Sequence, residues 1–473
     1  MKHVKTTAKQ WEADLAESRN RKKEDEGRSD TSAAPPLSHA EPARGPREIA
    51  VEGEPNAVKR FFKILGPGLV TGASDDDPSG IGTYAVAGAS LGYSTLWTAL
   101  FTFPMMTAIQ YICAKIGMVT GMGLARVLRE HYSKALLYSV VAGLVVANTV
   151  NAGADIGAIA AAVNLLVPLP VPVLIAPIAF TILGLQVWGS YRLIAKTFKW
   201  LTLALFAYIG SAFVAHPDLR EVVRNTFIPT ISFDANFLTN LVAILGTTIT
   251  PYLFFWQASH EVEEEISMGR RTLKTRQGAT DKELKYAGVD VTAGMFFSNL
   301  VMYFIILSTA ATLHKAGNTD IQSATDAAQA LRPLAGEAAY VLLALGLIGA
   351  GFLGVPILTG SSAYAVAEAF GWRSGLDEKP RRAKRFYAMI IVPTLIGILV
   401  DFMGINPIRA LFWTAVINGF LAPPILVVVM LIANNKTVMG ERVNGFWTNV
   451  GGWLTTGVMF AAAIGLVLCN LSF

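Results

Sequence analysis

Eleven segments of the chain are apolar over lengths that can cross a membrane, and polar stretches separate them. A crossing helix needs about 20 apolar residues, because the hydrocarbon core is about 30 Å thick. The segments cover approximately residues 64–91, 95–121, 135–166, 171–190, 196–215, 237–259, 286–312, 338–369, 385–400, 407–433 and 447–470. This pattern predicts an all-α membrane protein whose eleven transmembrane helices lie in a lipid bilayer.

Polar residues and proline interrupt the first and the sixth of these segments. Residues 74–80 read Ser-Asp-Asp-Asp-Pro-Ser-Gly, and residues 250–252 read Thr-Pro-Tyr. A charged residue at mid-membrane costs at least about 2.5–3.5 kcal/mol, so three acids there need a reason. Unwound backbone at that depth is tolerated only where it is buried in protein or lines a wet cavity. Two broken spans in matching positions indicate the binding site of a transporter.

The positions of the two breaks predict an internal repeat. Five crossings separate spans one and six, so these two spans run in opposite directions. Residues 64–215 and 237–433 contain five spans each, and we expect them to be inverted repeats. The span at 447–470 is then an additional helix, and residues 61–473 form one transmembrane domain.

The distribution of charge predicts the orientation. Residues 1–60 are rich in charged residues, Ala and Pro, and we expect a disordered cytosolic tail. Of the 39 lysines and arginines, 34 fall on the side of this tail, which predicts a cytosolic amino terminus and an outer carboxyl terminus. The predicted outer loops hold the other five: Arg220, Arg224, Lys315, Arg332 and Arg409. The expected location is the plasma or inner membrane of a cell.

Composition excludes several other classes of protein. Hydrophobic residues make up 53% of the chain and charged residues 15%, unlike a soluble globular protein. The net charge of +5 follows the topology, so it does not indicate nucleic-acid binding. Two cysteines form no disulfide framework, none of the six histidines falls inside a predicted span, and motifs typical of enzymes are missing. We therefore expect no enzyme and no cofactor; a monomer fits, and the oligomeric state is open.

The residues at the two breaks offer oxygen atoms to a ligand. Asp77 lies beside Pro78, and we expect its carboxylate to be the central ligand, with freed carbonyls near Asp77 and Ser79. Pro251 has no N–H group, so the carbonyl of Thr247 loses its helical partner. An all-oxygen set of ligands suits Mg²⁺, Ca²⁺ or Mn²⁺ better than soft transition metals.

Several further residues are candidates for the site or for the pathway. Asp75 and Asp76 either face outer water or tune the field beside Asp77. Asp155 shares a helix face with Asn148 and Asn151 and is either a proton or ion relay or a partner in an interhelical hydrogen bond. The remaining candidates are Thr250 and Tyr252, whose hydroxyls lie at the second break, Gln257, which would line the exit path, and Asn418, which would line the cavity or pack against a helix.

Two motifs resemble those of the NRAMP family of divalent metal transporters. They are Gly-Pro-Gly-Leu-Val-Thr-Gly-Ala-Ser-Asp-Asp-Asp-Pro-Ser-Gly at residues 66–80 and Thr-Pro-Tyr at residues 250–252. The resemblance extends over about residues 64–470. It implies the leucine-transporter-type fold, with two inverted five-helix repeats, an eleventh helix, and spans one and six unwound at mid-membrane.

Departures from the family's motifs are informative. The resemblance carries the metal-binding aspartate over to Asp77, whereas the family's asparagine ligand becomes Gly80. The family's Met-Pro-His becomes Thr-Pro-Tyr, and the alanine whose carbonyl binds metal becomes Thr247. The second acid of span three becomes Asp155, while the first becomes Ala152. This pattern is similar to the NRAMP-related magnesium transporters, a branch with weakened proton coupling.

These observations lead to one expected function and three alternatives. We expect a transporter that moves Mg²⁺, and also Mn²⁺, into the cytosol by alternating access without coupling to protons. The alternatives are a proton-coupled Mn²⁺/Fe²⁺ symporter that uses Asp155 or another acid, a cation-coupled transporter of a small organic solute, and a non-transporting membrane sensor. A sensor is expected to carry a large folded cytosolic domain, which the predicted tail does not provide.

Overall fold

The structure is a computed structural model, and it describes residues 51–189, 203–321, 324–332, 336–376, 378–402 and 406–471. Its α-helices are, in chain order, α1 (Ala57–Ile64), α2 (Pro67–Asp75), α3 (Pro78–Leu91), α4 (Trp97–Thr120), α5 (Leu124–His131), α6 (Lys134–Leu166), α7 (Val171–Trp188), α8 (Ala207–Val214), α9 (Leu219–Phe227), α10 (Ala235–Thr248), α11 (Pro251–Ser267), α12 (Leu273–Arg276), α13 (Asp281–Thr309), α14 (Ala324–Gln329), α15 (Ala339–Phe370), α16 (Lys384–Asp401), α17 (Pro407–Ala433), α18 (Lys436–Met439) and α19 (Phe446–Leu471). A π-helical turn, Ala310–His314, extends α13, and short 3-10 turns connect other helices.

The predicted spans correspond to the long helices. Eight helical stretches in the described part of the chain are long and apolar enough to cross a membrane, counting α10 and α11 as one. The broken first span corresponds to α2 and α3. The ninth predicted span corresponds to α16, which has three charged residues near its ends. The fifth ends in α8, and its predicted residues 196–202 lie outside the described residues.

The boundary of the predicted amino-terminal tail needs a correction. Residues 1–50 of that tail lie outside the described residues. Residues 57–60, however, belong to α1, which begins after Asn56 accepts hydrogen bonds from the N–H groups of Val58 and Lys59. Helical structure therefore begins before residue 61.

Glycines let the helices of the two halves approach closely. A Cβ atom on Gly88 in α3 would lie 2.5 Å from the carbonyl oxygen of Ile306 in α13. A Cβ on Gly117 in α4, in the first half, would lie 2.4 Å from the carbonyl oxygen of Ala258 in α11, in the second half. These are equivalent contacts in an inverted repeat, because α3 and α11 are the second halves of spans one and six.

Helix α13 holds the first half of span one along its length. The carboxylate of Asp290 accepts hydrogen bonds from the N–H groups of Gly66, Gly68 and Leu69 at 2.8, 2.9 and 3.0 Å. These groups have no partner within α2, since a helix leaves its first N–H groups unbonded. A Cβ atom on Gly72 would lie 2.2 Å from the carbonyl oxygen of Gly294. Backbone contact and a capping carboxylate together fix α2 against α13.

Candidate metal site

The two helix breaks have the same local design. Asp77 is the extended residue before α3 (φ −69°, ψ 171°), and Thr250 is the extended residue before α11 (φ −93°, ψ 136°). Pro78 and Pro251 begin the helices that follow, where proline is favoured because it lacks an N–H group. Each break therefore brings a helix amino terminus and a helix carboxyl terminus to the same depth.

A tyrosine of the second half bonds the aspartate of the first half. The Oδ1 atom of Asp77 accepts a hydrogen bond from the N–H group of Gly80 at 2.8 Å. Its Oδ2 atom lies 3.1 Å from the hydroxyl of Tyr252, which donates to it. The same hydroxyl is 3.2 Å from the carbonyl oxygen of Ser74, the group that Pro78 leaves without a helical donor. Tyr252 thus joins the two broken spans.

Hydroxyl groups and a second carboxylate surround this pair. The N–H group of Ser79 donates to Asp155 Oδ1 at 3.1 Å, and the hydroxyls of Ser79 and Thr247 are 3.4 Å apart. A Cβ atom on Gly80 would lie 3.5 Å from the hydroxyl oxygen of Thr247. The space beside Gly80 is therefore bordered by a hydroxyl.

Thr250 is buried, and its hydroxyl has no hydrogen-bond partner within the described ranges. A buried hydroxyl without a partner is unfavourable, so this group is suited to bind a ligand.

Helix α15 packs on Asp77 through Gly354, where a Cβ atom would lie 2.9 Å from the Cβ of Asp77. A Cβ atom on Gly351 would similarly lie 3.2 Å from the Cγ of Pro78, so this glycine makes room for the proline.

The acids that precede Asp77 do not face outer water, so that alternative is wrong. Asp75 and Asp76 are both buried. The hydroxyl of Ser298 in α13 lies 2.6 Å from Asp75 Oδ2 and 3.4 Å from Asp76 Oδ1. Asp75 and Asp76 are therefore neighbours of the site. They are bonded to α13, because the end of α2 turns towards that helix.

The expectation of freed carbonyl groups near Asp77 is also corrected. The carbonyl oxygen of Asp77 accepts a hydrogen bond from the N–H group of Ile81 at 3.0 Å and begins α3, so it is not free. The carbonyl that proline leaves without its helical donor is that of Ser74, which Tyr252 bonds.

Two other predicted residues lie apart from these contacts. Gln257 accepts a hydrogen bond from the Thr71 hydroxyl in α2 and donates to Glu261 at 2.9 Å, so it links the two broken spans away from Asp77. Asn418 is buried in α17, and Gly419 beside it contacts Val242 in α10. The roles of Gln257 in an exit path and of Asn418 in the cavity stay predictions.

Sequence reasoning missed three residues that position the site. They are Asp290, which caps α2, Ser298, which bonds the acids at its end, and Gly354, which makes room for Asp77. A signal existed for Asp290, because an acid within the predicted seventh span needs a partner. Ser298 and Gly354 carry no such signal, since small residues are common in all membrane helices.

The side chains of this arrangement present hard oxygen atoms of carboxylate and hydroxyl groups. No group of three or more His, Cys, Asp or Glu residues that could hold a metal occurs in the portion of the chain that the structure describes. The groups that bond Asp77 are a hydroxyl and a backbone N–H, and the Asp155 carboxylate bonds Ser79 nearby. Asp77 is 1% exposed and Thr250 0%, so this structure holds the site closed to water.

We expect Tyr252→Phe to weaken metal binding by about 10- to 100-fold, the usual effect of removing a residue that orients a metal ligand. The variant loses the hydroxyl that fixes Asp77 and leaves the fold otherwise unchanged. Isothermal titration calorimetry with Mg²⁺ and Mn²⁺ measures the change. Tyr208→Phe is the matched control, because Tyr208 is buried and its hydroxyl has no hydrogen-bond partner among the described residues. Equal affinities for the two variants would contradict the role of Tyr252.

Comparisons with known proteins agree with this architecture. The chain is 29% identical over 430 residues to a Klebsiella pneumoniae (strain 342) protein named divalent metal cation transporter MntH, covering 89% of this chain and 98% of that protein. The crystal structure of an Eremococcus coleocola manganese transporter, 18% identical, superposes with a TM-score of 0.69 over 92% of this chain and 90% of that one.

A third comparison concerns the fold alone. The structure of MhsT in complex with L-phenylalanine, 13% identical, gives a TM-score of 0.52 over 86% of this chain and 98% of that one. The chain therefore has the leucine-transporter-type fold, with two inverted five-helix repeats and an eleventh helix. The sequence model of the family described as natural resistance-associated macrophage protein-like (Nramp) matches residues 68–469. The chain belongs to the Nramp family.

Proposed function

We propose that this protein carries Mg²⁺, and also Mn²⁺, into the cytosol by alternating access without coupling to protons. The observation that carries the proposal is the position of Asp77, a buried carboxylate between two helix breaks with hydroxyl and backbone groups around it. A divalent metal as substrate is supported by the names of the relatives, which describe divalent metal cation and manganese transporters. Membership of the Nramp family means that the protein is a membrane transporter and not an enzyme.

The proposed ligands are the Asp77 carboxylate, the Thr250 hydroxyl and the Thr247 carbonyl. Each carboxylate oxygen of Asp77 accepts one hydrogen bond from the protein and keeps a further lone pair for an ion. Water molecules fill the other positions. Mg²⁺ prefers six oxygen ligands at about 2.0–2.1 Å and gives up its water reluctantly, so few protein ligands suit it.

Opening of the site requires the helix halves to separate. The tight contacts around Asp77 leave no room for a hydrated ion in the closed arrangement. We propose that the two inverted repeats, at about residues 64–215 and 237–433, supply the moving and static elements on either side of the site. The helix at 447–470 and the amino-terminal tail lie outside these repeats.

The membrane potential supplies the driving force in this proposal. Moving one elementary charge across 100 mV releases about 2.3 kcal/mol, so a divalent ion gains about 4.6 kcal/mol. With the amino terminus in the cytosol, as the distribution of lysine and arginine favours, an inside-negative potential drives the ion inwards. No proton is needed for uptake.

Isothermal titration calorimetry of the purified protein with Mg²⁺, Mn²⁺ and Ca²⁺ tests the choice of ion. We expect one saturable site for Mg²⁺, for which Mn²⁺ competes, and loss of both signals in Asp77→Asn. A protein that binds Mn²⁺ but shows no competition from Mg²⁺ would contradict the proposal.

We expect Thr250→Met to shift the preference towards softer ions. A thioether replaces a hydroxyl at the site, and soft ligands favour Cd²⁺ over Mg²⁺. The ratio of Cd²⁺ to Mg²⁺ affinity should rise by about tenfold or more, which corresponds to about 1.4 kcal/mol. Competition of Cd²⁺ and of Mg²⁺ against Mn²⁺ uptake measures this ratio. Thr250→Leu is the control, because leucine is similar in size to methionine but has no sulfur. An equal shift in the ion preference of that variant would rule out the thioether as the cause.

A proton-coupled Mn²⁺ symporter is the second candidate, and one observation favours it. Asp155 is buried and bonds the N–H group of Ser79, two residues from Asp77, so an acid that can exchange protons lies at the site. Acidification of the vesicle interior during Mn²⁺ uptake, abolished by Asp155→Asn, would support this candidate. Metal uptake without acidification supports the proposal above.

A further inference from the structure

Helix α1 carries an exposed apolar face just before the first span. Val58, Phe61 and Phe62 are 65%, 42% and 67% exposed. Their spacing of three and four residues places them on one side of the helix. No side chain of α1 is buried against the described part of the protein. Large apolar side chains exposed together indicate an interaction surface.

The other side of α1 carries positive charge. Lys59, Arg60 and Lys63 occupy the remaining turns of this eight-residue helix. Lys63 is paired with Glu54 at 2.8 Å. Lys59 and Arg60 take part in no ion pair within the described ranges.

The connection to α2 fixes the position of this helix. Only Leu65 and Gly66 separate α1 from α2. The N–H group of Gly66 is bonded to Asp290, so the end of the connection is held against α13. The apolar face therefore lies within a few residues of the start of span one.

We propose that α1 docks on anionic phospholipid of the leaflet next to the amino terminus. Val58, Phe61 and Phe62 enter the boundary between headgroups and acyl chains, and Lys59 and Arg60 bind the lipid phosphates. A basic amphipathic helix with aromatic residues on its apolar face is typical of such binding. Anionic lipid adds attraction for each basic residue near the surface. The docking is independent of the transported ion and goes beyond the proposed function.

A fluorescent label on α1 tests the docking without any metal, so the outcome does not depend on transport. The variant Val58→Cys, in a Cys469→Ser background with the buried Cys113 retained, carries an environment-sensitive fluorophore in nanodiscs. We expect emission at shorter wavelength and less quenching by acrylamide when phosphatidylglycerol is mixed with phosphatidylcholine than in phosphatidylcholine alone. A label equally exposed in both membranes would overturn the proposal.

Charge variants separate docking on anionic lipid from simple burial. Lys59→Gln with Arg60→Gln should weaken the preference for phosphatidylglycerol by about 25-fold, since each basic residue contributes about fivefold. Lys315→Gln with Arg409→Gln removes the same charge from positions outside α1 and should leave the signal unchanged. An unchanged signal in the α1 variant would show that lipid phosphates are not the partner.

Discussion

Uptake of Mg²⁺ and Mn²⁺ into proteoliposomes should fall to background in Asp77→Ala, a loss of about 100-fold or more. Removing a group that merely orients a metal ligand costs about 10- to 100-fold, and Asp77 is the proposed ligand itself. The alanine also leaves the Tyr252 hydroxyl and the Gly80 N–H group without the carboxylate that they bond. The expected change is therefore the largest that a single substitution produces at this site.

Two further variants make the result specific to the charge of Asp77. Asp77→Asn keeps the size of the side chain and should still abolish uptake, because a neutral amide is a much weaker ligand for Mg²⁺ than a carboxylate. Asp234→Asn is the matched control, since Asp234 caps α10 and asparagine caps a helix equally well. If Asp77→Asn transported at the rate of the control, the carboxylate would not be the ligand.

Gly72→Ala should destabilise the protein and abolish transport together. A Cβ atom at position 72 would lie 2.2 Å from the carbonyl oxygen of Gly294, a backbone atom that cannot move aside alone. Overpacking of this kind costs typically about 1–3 kcal/mol, occasionally more. The displaced α2 would also shift Ser74 away from the Tyr252 hydroxyl. Thermal unfolding in detergent and Mn²⁺ uptake measure the two effects.

The matched control for this substitution is Gly465→Ala in α19. A Cβ atom there would meet nothing within 4 Å. Alanine is favoured over glycine in a helix by about 1 kcal/mol, so this variant should unfold at the same temperature or higher. Equal melting temperatures for both variants would show that α2 and α13 are not held by close backbone contact.

Much of the fold could be predicted because the membrane imposes a strong pattern on the sequence. Long apolar segments marked the spans, and the prolines at 78 and 251 marked the breaks. The short helices outside the spans, such as α5 and α9, were missed because they are amphipathic and carry charged residues. Their hydrophobic positions are too few to stand out beside those of membrane helices.

The sequence indicated candidate residues for the site but not the contacts between them. Asp77 and Tyr252 are 175 residues apart in the chain, and nothing local to either residue encodes their hydrogen bond. Asp75 and Asp76 likewise accept hydrogen bonds from Ser298, a residue of a distant helix. Such contacts follow from how helices cross, which hydrophobic periodicity alone does not determine.

The most direct test of the central claim is uptake of Mg²⁺ into proteoliposomes under an inside-negative potential, with no pH gradient and with the internal pH recorded. We predict saturable Mg²⁺ uptake that requires Asp77, increases with the potential and leaves the internal pH unchanged. Absence of Mg²⁺ uptake, uptake that persists in Asp77→Asn, or acidification in step with the metal would contradict the account.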